Sequence, residues 1–324
     1  MMSSNLITEM PQNHSEQTSG PSDSHNSTYD TFTEVVRIII LFICLCGVLG
    51  NGIVLWLLTF HIRRTPFSVY VLNLAGSDLT YVFLEIVWVI NYLINRPMFI
   101  NIIYLLTNMG LHVTFTVGLG LLASISTQRC LSILFPIWYR NHNPKRGPMV
   151  VCGLLWILSL ILNLPKVYYC VVKMENLPPP GCDIMSKLSG TLMLSMLLLM
   201  TLSSLILFIR ILWSAQKYKP KKLVSLILLT VFVFLLCAVP HGINHSVFNW
   251  KAMYNHTFHE ISYLLSCVNS SANPFIYFFI GSLRHQRLKE PLRVVLQRAL
   301  RDDSEPSEDR VTSSRTDTTL HTPA

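Results

Sequence analysis

Charge is scarce in this chain. Asp, Glu, Lys and Arg make up 13% of its 324 residues, where a soluble domain carries about 25%. Hydrophobic residues reach 51% and the mean hydropathy is +0.45. A soluble fold would have to expose much of that excess as adhesive surface, so a soluble globular protein is excluded. Other signals are missing too. The first residues lack the charged start and apolar centre of a cleavable signal peptide. There is no His-Glu-x-x-His and no Gly-x-Ser-x-Gly, so no enzyme is expected. No internal repeat or pair of broken helices suggests a transporter, and no repeated selectivity element suggests a channel. No lysine lies within the last apolar run, which excludes a retinal Schiff base there. The net charge of +8 sits in short clusters between apolar runs, which reads as membrane topology rather than as nucleic-acid binding.

Seven apolar runs are present, near 36–60, 67–94, 99–132, 149–170, 186–213, 223–248 and 259–282. Each is long enough to cross about 30 Å of hydrocarbon as a helix rising about 1.5 Å per residue. The expected fold is an all-α, seven-helix membrane bundle over 35–282. Residues 1–34, rich in Ser, Thr and Asn, read as a disordered tail. Lys and Arg cluster after runs one, three, five and seven: Arg63 and Arg64; Arg140, Lys145 and Arg146; Lys217 to Lys222; and Arg284 onward. The positive-inside rule then places the N-terminus outside and the C-terminus inside. Sequons at Asn13, Asn26 and Asn255 fall on the expected outer side and are candidates for glycosylation.

Polar residues within these runs need a reason, because a carboxylate at mid-membrane costs at least about 2.5–3.5 kcal/mol. Asp78 lies inside run two, and Asn51, Asn269, Ser270 and Asn273 lie at comparable depth in runs one and seven. Runs one, two and seven facing one another would gather them into a polar cavity for water or a sodium ion. A neutral Asp78 in a structural hydrogen-bond network is the alternative. Glu85 lies two turns further toward the outer side, where it either meets a ligand cation or pairs with a neighbour. Pro240 and Pro274 kink runs six and seven. Of the eight cysteines, six lie in or at the ends of apolar runs. Cys170 and Cys182 bracket an outer loop containing Pro178 to Gly181 and are the obvious disulfide pair in an oxidising compartment.

Several stretches together resemble a rhodopsin-like (class A) G-protein-coupled receptor. They are Gly50-Asn51, Leu74-Ala75-Gly76-Ser77-Asp78, Arg129, Trp156, Pro240 and Asn273-Pro274-Phe275-Ile276-Tyr277, in order over 36–301. Arg64-Thr-Pro-Phe-Ser-Val-Tyr, Arg129 through Tyr139 and the Cys170/Cys182 pair resemble the Mas-related subfamily in particular. Ser126 to Cys130 is similar to its D-type members, and Glu290 to Arg301 to the F-type. The resemblance implies a multi-pass plasma-membrane receptor that activates a heterotrimeric G protein of the Gq or Gi class. Arg129 would meet the G protein, run six would pivot about Pro240, and Tyr277 would swing inward beside Asn273 and Pro274. Departures from the family pattern stand out. The acid that usually precedes the arginine is Gln128, the base of run six carries Lys221 and Lys222, and the aromatic two residues before Pro240 is Ala238. Weak locks of this kind imply appreciable basal signalling.

Candidates for the ligand pocket are Glu85, Tyr104, Asn108, Lys166, Asp183, His241, His245, Glu260 and Tyr263, all at outer ends of the runs. Cation-binding members of the subfamily carry an acid where this chain has Lys166, so a small zwitterion, a mixed-charge or acidic molecule, or a peptide is expected rather than a strongly cationic peptide. His241 and His245, one turn apart, with His256 and His259 nearby, leave a pH- or zinc-responsive receptor as an alternative reading, beside a seven-helix membrane transporter, with no dedicated metal site or further cofactor expected. Residues 283–301 read as an amphipathic helix on the anionic inner leaflet lipids, interrupted at Pro291. Residues 302–324 read as a disordered cytoplasmic tail whose Ser and Thr residues would recruit arrestin once phosphorylated.

Overall fold

The computed structural model describes residues 21–62, 65–94, 101–142, 146–173, 180–214, 222–247, 256–282 and 291–300. Among these, all regular structure is helical: α1 (Pro21–Phe60), α2 (Pro66–Leu93), α3 (Asn101–Leu134), α4 (Pro136–His142), α5 (Gly147–Val167), α6 (Pro180–Ser214), α7 (Lys222–Val247), α8 (His256–Ser282) and α9 (Leu292–Leu300). Five of them (α1, α2, α3, α5 and α6) are by length and composition apolar enough to cross a membrane. The most apolar part of α7 is the shorter stretch Leu228–His241. In α8, Glu260, Asn269, Ser270 and Asn273 dilute the hydropathy, and all four are buried inside the bundle.

The long helices α1, α2, α3, α5 and α6 are apolar nearly all round, and burial separates their two sides. On α1, Val36, Ile40, Cys44, Asn51, Val54 and Leu58 face inward. Phe42, Leu45, Leu49, Ile53, Trp56 and Phe60 repeat every three or four positions on the opposite, exposed face. In water that face would aggregate; in hydrocarbon it is ordinary surface. α1 packs against α2 and α8, α2 also against α3, and α3 lies central, touching α5, α6 and α7. α6–α7 and α7–α8 contacts close the ring, and α9 folds back onto α8 and α7.

Polar residues enter these helices cheaply because their side chains bond their own backbone. Thr59 donates to the Leu55 carbonyl, Asn73 to Val69, Thr80 to Gly76 and Thr114 to Gly110, at 2.7–2.9 Å. The start of α2 is a reciprocal cap. Ser68 N–H donates to Thr65 Oγ1 at 3.1 Å, Thr65 N–H donates to Ser68 Oγ at 2.7 Å, and Pro66 occupies the first turn. Between helices, Trp156 Nε1 donates to Asn73 Oδ1 at 3.4 Å and Asn163 Nδ2 donates to Thr116 Oγ1 at 3.3 Å, tying α5 to α2 and α3. Pro165 lies inside α5, and just beyond it the helix widens into a π-turn at Tyr168–Val172.

One expectation needs correction. α1 begins at Pro21 rather than at the end of a disordered 1–34 tail, because an established helix extends more readily than one nucleates. Of the amphipathic segment expected over 283–301 with an interruption at Pro291, Leu292 to Leu300 is helical and starts directly after that proline. Residues 283–290, and the tail from 301 onward, lie outside the described residues.

Candidate functional site

Three polar layers are stacked along the bundle. The middle one joins α1, α2 and α8. Asn273 Nδ2 donates to Asp78 Oδ2 at 2.7 Å, with both residues buried. Asn51 Nδ2 donates to the Ser270 carbonyl at 3.0 Å and to the Gly47 carbonyl at 3.1 Å. Asn269 and Ser270 are buried at the same level, and Asn51 Oδ1 is a buried oxygen with no protein donor. Close approach of α1 to α8 makes this possible. A Cβ on Gly50 would lie 3.1 Å from Pro274, and one on Gly47 would collide with Ser271 Oγ.

The layer toward the end of α1 contains Arg129 on α3. Its guanidinium stacks over the Phe67 ring at 4.8 Å, beside the N-terminal cap of α2. Tyr277 is buried one turn beyond Pro274. It lines a crevice with Phe67, Leu74, Leu122, Ser126 and Thr230, so α2, α3, α7 and α8 all reach it. Ser204 Oγ donates to Ser126 Oγ at 3.4 Å, linking α6 to the same region of α3. Pro240 is half-buried within α7.

The layer where α1 enters the bundle is ionic and aromatic. Arg37 Nη2 and Glu260 Oε1 form a buried ion pair at 2.7 Å between α1 and α8. The Arg37 guanidinium also lies 5.3 Å from the Tyr92 ring centre and 5.9 Å from that of Tyr263. Glu85 is fully buried on α2, within the electrostatic reach of Arg37 and Glu260. Trp88 packs on Tyr104 at 5.3 Å. His241 packs edge-on against Phe115 at 4.9 Å and Tyr263 at 4.8 Å, and His259 lies 4.8 Å from Tyr263 on the other side. Lys166, buried on α5, acts electrostatically on His112 of α3 and on His241.

Of the sequence-derived pocket candidates, Glu85, Tyr104, Glu260 and Tyr263 thus fall into one group, and Lys166 and His241 into an adjoining one. Asn108 is half-buried on α3. Asp183 stands apart at the start of α6, where it pairs with Lys187 at 2.7 Å on an exposed surface. Cys170 and Cys182 are disulfide-bonded, fastening the π-turn to α6. The side chains of His245 and Asn26 lie outside the described residues, as do Asn13 and Asn255 altogether. Among the described residues no three His, Cys, Asp or Glu side chains converge on one point. Sequence reasoning missed Arg37, Phe67 and His112. The signal for Arg37 was present: a lone cation at the mouth of run one and a lone acid, Glu260, at the mouth of run seven.

Residues 50–277 match the family described as 7 transmembrane receptor (rhodopsin family). The Mas-related G-protein coupled receptor member X2 of Macaca mulatta is 42% identical over 282 residues, covering 84% of this chain and 85% of its own. Member D of Macaca fascicularis is 41% identical over 279 residues, covering 84% and 86%. Member X2 of Homo sapiens is 41% identical over 282 residues, covering 82% and 83%. This chain belongs to the Mas-related G-protein-coupled receptors. It is therefore a multi-pass membrane receptor, not an enzyme. Similarity to member D agrees with the D-type resemblance of Ser126 to Cys130, whereas similarity to member X2 had no counterpart among the motifs. In this receptor the helix-three arginine follows Gln128 and rests on an aromatic ring, Phe67.

Proposed function

We propose that this receptor sits in the plasma membrane with its N-terminus outside, binds an extracellular ligand at the Arg37–Glu260 end and activates a Gq or Gi class G protein. The Asn273–Asp78 hydrogen bond carries the reading. It ties α8 to α2 at mid-membrane, immediately before Pro274 and one turn before Tyr277. A shift of α8 at its ligand end would therefore be transmitted to Tyr277 and the crevice shared with Ser126 and Thr230. The receptor is then a two-state element that ligand and G protein both bias, and the two are coupled reciprocally by typically about 1–3 kcal/mol. Ligand-free signalling is appreciable, because Gln128, Lys221 and Lys222 supply no acid to restrain Arg129.

Lys166, His112 and His241 favour a ligand with an acidic or mixed-charge end facing α3, α5 and α7. A sodium ion fits the middle layer. Asp78 would supply its charge, and Asn51 Oδ1, buried without a donor, would supply a neutral oxygen. α9 lies along the inner leaflet lipids, with Val295, Leu296 and Leu300 turned to the bundle and Arg293 exposed. Arrestin binds the phosphorylated tail. The test is ligand-free calcium, inositol phosphate and cyclic AMP in transfected cells, wild type beside Arg129→Ala, normalised by surface labelling. Wild-type signal that Arg129→Ala loses is expected, and its pathway names the G protein. Wild-type signal equal to that of untransfected cells at full surface expression refutes the basal activity.

A further inference from the structure

The layer where α1 enters has the composition of a cation receptacle. Tyr81, Glu85, Trp88 and Tyr92 follow one another at spacings of four, three and four, so they share a face of α2. Glu260 and Tyr263 face them from α8, and Tyr263 lies within electrostatic reach of both Glu85 and Glu260. Two carboxylates and two to three aromatic rings around one small volume suit a delocalised cation. In this structure the volume already holds a cation, the Arg37 guanidinium. Its seat is incompletely satisfied. Nη2 meets Glu260, but Arg37 Nε and Nη1 and Glu260 Oε2 are buried with no hydrogen-bond partner, and Glu85 is met by the Tyr81 hydroxyl rather than by the guanidinium. Glu85 is 0% exposed, so water does not serve its oxygens from outside. The tethered cation thus leaves hydrogen-bonding capacity unused on both the guanidinium and the acids around it.

We propose that Glu85, Glu260, Tyr92 and Tyr263 form a guanidinium-binding site, that Arg37 is its tethered resident, and that a guanidinium group on a small extracellular ligand occupies the site by displacing Arg37. Planar guanidinium satisfies two carboxylates at once by paired N–H donors, which the single Arg37–Glu260 contact does not. Lys166, whose charge reaches His241 beside Tyr263, opposes a polycation there. Displacing Arg37 breaks the ionic tie between α1 and α8, the helix whose Asn273 also bonds Asp78 of α2. The proposal rests on the reading that this end faces outside. The binding test below does not depend on signalling, so either reading can fail alone.

Arg37→Ala removes a fragment that ethylguanidinium replaces closely. Purified full-length receptor in detergent is followed by its thermal unfolding midpoint against ethylguanidinium chloride, with sodium chloride of equal ionic strength as the control. Arg37→Ala is expected to show a saturable rise in midpoint, at concentrations at least about tenfold below those that move the wild type, as expected of a vacated site with no tethered competitor. The rise should vanish in Arg37→Ala/Glu85→Gln/Glu260→Gln. Arg37→Gln, whose shorter neutral amide vacates the guanidinium seat while filling more of the space than alanine, serves in the same titration if Arg37→Ala does not fold. No rise in the Arg37 variant, a rise that survives loss of both carboxylates, or equal sensitivity in the wild type overturns the proposal.

Discussion

Removing one member of the Arg37–Glu260–Glu85 group should cost different amounts depending on which member goes. A buried ion pair broken from one side typically loses about 3–5 kcal/mol, because the remaining charge stays desolvated. Here the two sides are unequal. Arg37→Met leaves Glu85 and Glu260 buried together with no cation between them, at 0% and 2% exposure. Glu260→Gln leaves Arg37 beside Glu85, whose charge already reaches it. Arg37 pairs directly with Glu260 and Glu85 lies farther off, but two unit charges about 6 Å apart still attract by about 3 kcal/mol at an effective dielectric near 20, so a surviving acid recovers part of the loss. We expect about 3–5 kcal/mol for Arg37→Met and about 1–2 kcal/mol for Glu260→Gln, a difference in midpoint of roughly 4–6 °C at about 2 °C per kcal/mol. The assay is thermal unfolding of the detergent-solubilised receptor, all variants run at one heating rate, with surface expression as a second readout. Glu260→Gln costing as much as Arg37→Met would refute the reasoning, since Glu85 would then not share the guanidinium.

Gly47→Ala should destabilise by about 1–3 kcal/mol, because its methyl would collide with Ser271 Oγ and press on Val82; Ser271→Gly in the same chain should recover most of the loss in midpoint. Asn273→Ala strips Asp78 of one of its two side-chain donors, the other being Ser270, and should lower the midpoint by the equivalent of about 1–3 kcal/mol, with Asn273→Asp no better, because it sets two acids side by side. Cys170→Ser opens a closure of 12 residues, worth on the order of 3 kcal/mol in the chain-entropy model, and should cut surface labelling, as should reductant on the wild type.

The spans were legible because hydrocarbon allows few alternatives. A run expected over 67–94 appears as Pro66–Leu93, and one over 223–248 as Lys222–Val247, since a backbone in lipid must satisfy its own hydrogen bonds along a full helix. What was not legible depends on neighbours in space rather than on neighbours in sequence. Ser, Thr and Asn before residue 35 read as disorder, yet α1 propagates upward through them from Pro21. α4, the seven-residue helix after Phe135, has no apolar length to announce it. Glu85 read equally as a ligand acid or as half of a pair, because its partners sit on α1 and α8, and nothing in α2 records which way those helices turn.

The placement of polar groups on α2 and α8 bears on how a signal would cross the membrane. Asp78 and Glu85 are two turns apart on one face of α2, and on α8 Glu260 and Asn273 hold the matching depths through Arg37 and directly. Between them α1 contributes Gly47 and Gly50, which bring its backbone against Ser271 and Pro274, and Ser271 Oγ donates to the Ile43 carbonyl at 3.2 Å. α8 is thus gripped at both levels by α1 and α2 and cannot shift at Glu260 without loading the Asn273–Asp78 bond. Such polar contacts between membrane helices are each worth only about 0.6–2 kcal/mol, which is comparable to an allosteric coupling of about 1–3 kcal/mol. A few of them, made and broken together, are therefore enough to set the balance between two receptor states. Contacts much stronger than this would hold α8 still, and an all-apolar seam would let it slide without a defined second position.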